Sequence, residues 1–334
     1  MGVSGLTQGE NGRAAAPRED WLDAIRGLAV LGMVETHAVN TLLAAEWREG
    51  EGFSRLMYAN GLVAPAFLWI AGYAQGLGAR RRQERGIAGW PVRTLRRLIL
   101  ILLLGFLIHL PMPGTGATWR LFFGIDVLQC LAASLLGVVA LQHWLPRHQG
   151  VGLAAAALLA IATGALPAAA LNDPTGFWPL DAWFDQSGSS LFPLVPWAAF
   201  VFLGVLMARW PSPLWVWPAL GAVLLALPSP PFISKSHPTF FAERLGWLLL
   251  VVAAVQALGR TLRFPRWLLF AGRESLAIYL VHLALLYLVP TARWVGPQLA
   301  PGPAALAALG LAVISIGLAW GWRTWRSRRR ESAG

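Results

Sequence analysis

The chain has 334 residues, 56% of them hydrophobic and only 13% charged, with 18 Trp and a mean hydropathy of +0.55. A soluble domain carries about 25% charged residues and cannot hide so much apolar surface, and a disordered chain is polar and poor in aromatics, so both classes are excluded. The single cysteine, Cys130, excludes a disulfide framework and a Cys-based zinc site, and the net charge of +11 rests on arginines (Lys235 is the one lysine) that fall between apolar segments rather than in a nucleic-acid-binding patch.

In chain order, residues 1–20 form a polar segment with no apolar signal-peptide core, and the first apolar stretch holds Asp23 and Arg26, which favours a retained span over a cleaved signal. A spanning helix needs about 20 mostly apolar residues, and the sequence predicts an all-α, polytopic membrane protein with about ten spans. These are 21–43, 56–78, 96–112, 121–142, 150–170, 191–209, 212–228, 240–258, 268–289 and 303–322, making one transmembrane domain over 21–322, followed by a basic tail, 323–334. Pro65, Pro193, Pro196 and Pro218 fall inside spans and predict kinks covered by protein. The turn Trp210-Pro211-Ser212-Pro213 between two spans is very short.

Alternate loops carry most of the arginine: Arg13 and Arg18, the run from Arg80 to Arg97, Arg147, Arg209, Arg260 to Arg266, and Arg323 to Arg330. The other loops hold Glu46, Glu49, Glu51, Asp173, Asp181 and Asp185. By the positive-inside rule both termini are cytoplasmic and the protein is a multi-pass component of the cell (inner) membrane, with the lipid bilayer as its first partner. The longest outer loop, 171–190 with Asn172-Asp173-Pro174, is either a cap over a cavity or a surface loop anchored by aromatics.

Ionisable groups inside spans are costly unless they face a partner or a cavity, so they point to function. In the first span His37 lies about 20° from Arg26 around the helix, Asp23 about 60° to one side and Asn40 about 40° to the other. The four form one polar stripe, with Glu35 on the opposite face. The rise from Arg26 to His37 is about 16 Å, so the stripe runs from the cytoplasmic entrance into the outer half, as a reaction with one substrate from each side requires. A structural Asp23–Arg26 pair with a hydrogen-bonded His37 is the plainer alternative.

The fourth span is expected to place Asp126, Gln129 and Cys130 on one face, and the ninth places Ser275, Tyr279 and His282 within about 60° of one another. His37, Asp126 and His282 then sit at one depth, although depth does not say which helices are neighbours. Imidazole accepts and returns a proton near neutral pH, and a carboxylate within reach fixes its tautomer. His109 reads as interfacial, His143, His148 and His237 as loop residues, and no metal-spaced pattern occurs.

The run Asp23-x-x-Arg26-Gly27 followed by His37 resembles the first-helix motif of the membrane acyltransferase family 3. Most other motifs are more similar to the neighbouring heparan-alpha-glucosaminide N-acetyltransferase catalytic-domain group. They are Ala64-Pro65-Ala66-Phe67-Leu68 with Ala71-Gly72; Phe122 to Gln129; Phe192-Pro193-Leu194-Val195-Pro196-Trp197 with Gly204; and Gly272-Arg273-x-Ser275-Leu276 leading to Tyr279 and His282.

The resemblance implies a helical acyltransferase that takes acetyl or another acyl group from cytosolic acyl-CoA, with acetyl-CoA as co-substrate and no metal. The group passes to a hydroxyl or amine of a sugar-like acceptor near the outer face. His37 is similar to the catalytic histidine, with Arg26 as its motif partner and Asp126 as a candidate orienting group. Asp23, Asn40, Gln129, Arg273, Ser275, Tyr279 and His282 are candidate substrate-binding residues. Arg26, Arg273 and the Arg80-Arg81-Arg82-Gln83-Glu84-Arg85 run are candidates for the CoA phosphates, although topology alone accounts for most of that run. Human-type heparan enzymes place a key His in the first outer loop, whereas 44–55 here hold none, so heparan as substrate is not carried over. Direct transfer and an acyl-histidine intermediate both remain open, as do a homodimer and two rival readings: a transporter or flippase of small acyl or sugar compounds, and a non-catalytic partner subunit.

Overall fold

A computed structural model describes residues 19–332 apart from 88, 111–117, 173–174, 187, 189, 211–212, 229–234, 236 and 289–294. Among the described residues the chain is helical, with no strand beyond an isolated bridge between Leu43 and Leu299. The helices are α1 (Asp20–Leu42), α2 (Glu51–Asn60), α3 (Val63–Glu84), α4 (Val92–Ile108), α5 (Trp119–Phe123), α6 (Val127–Trp144), α7 (Gln149–Thr163), α8 (Ala168–Leu171), α9 (Trp178–Asp181) and α10 (Leu194–Arg209). After these come α11 (Val216–Leu225), α12 (Pro238–Thr261), α13 (Arg266–Arg273), α14 (Ser275–Leu283), a π-helical turn (Ala284–Leu288) and α15 (Pro301–Glu331).

Each of the ten predicted spans contains helix. Four helical stretches are long and apolar enough to cross a membrane: Glu51–Glu84 through the turn between α2 and α3, Trp119–Trp144 through α5 and α6, α12 and α15. A fifth counts if α13 and α14, bent by 78°, form one broken span, and α7, α10 and α11 are shorter apolar helices. Helix α1 has 23 residues but carries Asp20, Asp23, Arg26 and Glu35, and α4 carries Arg93, Arg96 and Arg97 in its first turns. Exposed leucines such as Leu103, Leu107, Leu306 and Leu309 form an apolar outer surface of the kind a bilayer covers.

Small residues set the closest approaches. A Cβ on Gly72 would collide with the Val201 carbonyl and one on Gly204 with the Trp69 carbonyl, so α3 and α10 cross backbone to backbone. Trp69 and Phe200 are fully buried in the core formed around that crossing. Helix α1 packs against α3, α13 and α15.

Three local expectations change. Three prolines stand at helix starts instead of kinking them: Pro193 precedes α10, Pro65 falls in the first turn of α3 and Pro218 in that of α11, where a missing N–H leaves no intrahelical bond unmade; Pro196 does follow a kink, since Val195 before it is non-helical (φ −105°, ψ 120°). The fourth span is interrupted at Gly124–Asp126 and the ninth at Glu274. The basic segment 323–331 continues α15 as helix. Residues 1–18, and Asp173 and Pro174 of the longest loop, lie outside the described residues.

Arginines from distant segments converge on one end of the bundle. There Arg26, Arg93, Arg97 and Arg273 line one cavity, Arg80, Arg147 and Arg209 another, and Arg323 donates to Glu274 at 3.0 Å. At the opposite end Arg244 donates to the Tyr58 carbonyl at 2.6 Å, and the Arg48 guanidinium holds the carbonyls of Asn40 and Leu43.

Candidate active site

The site is built on the contact of α1 with α13. Each helix brings an arginine beside a glycine, Arg26-Gly27 and Gly272-Arg273. A Cβ at Gly27 would strike the Leu268 carbonyl, and one at Gly272 the Asp23 carbonyl, so only bare backbone permits this approach. It brings the Arg273 Nε to 2.8 Å from one Asp23 oxygen while an Arg26 nitrogen lies 3.4 Å from the other, and Arg273 also reaches Asp20 at 3.4 Å. Asp23 therefore bridges two arginines on separate helices. The Asp23–Arg26 pair of the plainer reading exists, but as part of a four-charge cluster, with Arg273 and Asp20, that opens into a cavity.

That cavity holds about 540 Å³. Its cations are Arg26, Arg93, Arg97 and Arg273, and its polar groups include Gln75, Thr94, Ser275 and Tyr279. Deeper in, Met33, Phe67, Leu98, Ile101 and Leu128 make an apolar wall. The space is thus charged at the arginine-rich end and apolar inside. Arg93, Thr94 and Arg97 come from the first turns of α4; their one-turn spacing was the sequence signal, but it reads equally as a topological anchor. The Arg80–Arg85 run, a candidate for the phosphates although topology alone accounts for most of it, does not line this cavity; Arg80 and Arg82 face two others.

Beyond Tyr279 lies a pair of imidazoles. The Nε2 of His282 is 3.0 Å from the Nδ1 of His37, across 245 residues of sequence. His282 is fully buried, His37 half-buried, and the rings sit 5.1 Å apart with planes at 37°. The other nitrogen of His282, Nδ1, lies 3.0 Å from the Ile278 carbonyl oxygen. A carbonyl only accepts, so His282 donates from Nδ1; in the neutral pair its Nε2 then accepts from the Nδ1–H of His37, and the His37 Nε2 keeps its lone pair. Tyr279, 4% exposed, sets its ring edge against His282 at 5.5 Å and also lines the cavity. It is the wall shared by cavity and histidine pair.

Asp126 does not orient His37. It sits in the break before α6 as that helix's N-cap, accepting from the Val127 N–H at 2.6 Å, while Gln129 closes the capping box by accepting the Asp126 N–H at 3.3 Å. Its outer oxygen lies 3.5 Å from Nε2 of His109, whose Nδ1 meets the Gly105 carbonyl at 3.0 Å. Among the described residues no hydrogen bond or ion pair joins Asp126 to His37. The expectation that Asp126, Gln129 and Cys130 share one helical face fails for Asp126, which precedes the helix. His109 is a carboxylate partner and was missed, because contact between the end of one helix and the cap of another, 17 residues further on, has no sequence periodicity. Gln129 is fully buried against Gly105, and its Nε2 has no partner among the described residues. Asn40 is exposed one turn beyond His37. Among the described residues no three His, Cys, Asp or Glu side chains are grouped to hold a metal.

These features define a multi-pass helical membrane protein with an arginine-rich cavity that ends near a hydrogen-bonded histidine pair. Residues 18–228 match the family "Heparan-alpha-glucosaminide N-acetyltransferase, catalytic", and the chain belongs to that transferase family. No curated protein matches it. The match covers α1 to α11 and ends before Arg273, Ser275, Tyr279 and His282, so half of the histidine pair comes from beyond it.

Proposed function

We propose that the protein is an integral membrane acyltransferase that moves an acetyl or other acyl group from cytosolic acyl-CoA to a hydroxyl or amine, on a sugar-like acceptor, near the outer face. The observation that carries this reading is the His37–His282 pair next to a cavity cationic at one end and apolar at the other. Guanidinium groups suit the phosphates of CoA, and the apolar interior suits the uncharged arm and acyl group. Arg26, Arg93, Arg97 and Arg273 hold the phosphates, and Ser275 and Thr94 are within the same space for polar contacts.

The unshared Nε2 of His37 takes the proton of the acceptor hydroxyl or amine, and the freed oxygen or nitrogen attacks the thioester carbonyl. The new C–O or C–N bond forms as the C–S bond breaks, and the CoA thiolate takes up a proton on leaving. His282, itself held by the Ile278 carbonyl, keeps the Nδ1 proton of His37 in place.

The reading places the arginine-rich end in the cytoplasm, with both termini there and ten crossings. Helix α11 is only about 15 Å long against a hydrocarbon core of about 30 Å. The crossing count is supported by the ends it connects: α10 finishes beside Arg80 and Arg147, whereas α12 starts beside Tyr58. The test is release of free CoA from acetyl-CoA by purified, detergent-solubilised protein, wild type against His37→Ala, with and without a panel of amino sugars and sugar alcohols. Acceptor-stimulated release that the variant loses supports the reading. Full turnover in His37→Ala overturns the role of His37, and ion-coupled uptake without acyl turnover favours a transporter.

A further inference from the structure

We propose that a second cavity, separate from the histidine site, binds the headgroup of an anionic phospholipid. It holds about 430 Å³ at the arginine-rich end, where three segments far apart in sequence meet: Arg80 at the end of α3, Arg147 in the turn between α6 and α7, and Arg209 with Trp210 at the end of α10. Arg80 is offset by Glu84 at 3.1 Å. Arg147 and Arg209 have no carboxylate partner among the described residues, so the cavity presents two uncompensated guanidiniums. Guanidinium is the side chain best matched to a phosphate, and among the described residues no carboxylate lines the cavity to receive the cationic end of a zwitterionic headgroup.

The walls select lipid over a soluble phosphate ester. Beside the arginines the cavity is lined by Val151 and Ala154 of α7. Val151 is 72% exposed, and Leu158, two turns further along the same face, 68%. An apolar strip therefore leads from the charged pocket along the bundle's outer surface, which a ligand with a phosphate head and hydrocarbon chains would cover. Trp210, 60% exposed at the rim, is the residue type that settles at headgroup level. A lipid so held bridges α3, α7 and α10, the helices around the Gly72–Gly204 crossing.

The experiment titrates the purified protein in neutral detergent with phosphatidylglycerol or phosphatidylcholine and counts bound lipid by native mass spectrometry, with inorganic phosphate as competitor. Wild type is expected to retain phosphatidylglycerol in preference to phosphatidylcholine. Arg147→Gln/Arg209→Gln should weaken phosphatidylglycerol binding by roughly 30-fold, the effect of removing two charges from an anionic-lipid contact, and leave phosphatidylcholine unchanged. Arg328→Gln/Arg330→Gln, the same charge loss on α15, should leave both unchanged. Equal retention of the two lipids by wild type, equal loss in the α15 variant, or displacement of phosphatidylglycerol by an equal concentration of inorganic phosphate would overturn the proposal. CoA release is measured alongside as a check that each variant is folded, since none of these residues touches the histidine site.

Discussion

The Nδ1 of His37 and the Nε2 of His282 lie 3.0 Å apart, and the second imidazole is anchored in turn by the Ile278 carbonyl. The chain carbonyl–imidazole–imidazole has one polarity: each link donates toward the backbone oxygen, so the free lone pair ends up on His37 Nε2. This is the logic of an oriented general base, with a buried imidazole in the position often held by a carboxylate.

His282→Ala removes the group that fixes this tautomer without emptying the arginine-lined cavity. Turnover is expected to fall by about 100-fold, at the lower end of what a positioned base supplies, while CoA affinity stays within a few-fold. Steady-state CoA release combined with CoA binding by calorimetry separates the two. A matching loss of CoA affinity would mean that His282 holds substrate instead.

Arg93 and Arg97 line the cavity, and no ion pair engages either among the described residues. Arg97→Gln should therefore raise KM for acetyl-CoA by about tenfold, the loss of a charge-assisted hydrogen bond of about 1.5 kcal/mol, and leave kcat nearly unchanged. Arg273→Gln should add a stability loss, because Asp23 then keeps only the longer contact with Arg26.

Asp126→Asn tests which imidazole the carboxylate serves. Asn is as good an N-cap as Asp, so α6 should remain intact. Because the carboxylate faces His109 and not His37, turnover should drop far less than in His282→Ala. An equal drop would place Asp126 in the proton path after all.

Gly272→Ala drives a methyl group into the Asp23 carbonyl and should separate α1 from α13, at a cost of about 1–3 kcal/mol in stability, seen as a lower Tm. Gly310→Ala on α15, with open space around its Cβ position, is the matched control and should not lower Tm.

Much of this protein follows from sequence because a bilayer makes local composition decisive. Apolar runs must be helical where no water can satisfy the backbone, and charges within them must face one another or a cavity, so the Asp23–Arg26–His37 stripe was readable on α1 alone. The family match over 18–228 agrees with the motifs of that region. Helical periodicity gives the depth and face of a residue but not which helix stands opposite. His37, Asp126 and His282 could therefore be placed at one depth, with Asp126 the expected partner of His37, and only the packing of α14 beside α1 made His282 that partner instead. Hydropathy passes over the breaks at Gly124–Asp126 and Glu274, because a chain interrupted by one to three residues keeps its apolar character while turning its side chains elsewhere; the capping pair Asp126-x-x-Gln129 is the local signal that marks the first of them. Tertiary structure alone turned Asp126 toward His109, sent Arg93 and Arg97 into the cavity, and gathered Arg80, Arg147 and Arg209 from three segments, because those positions depend on side chains and glycines meeting across helices.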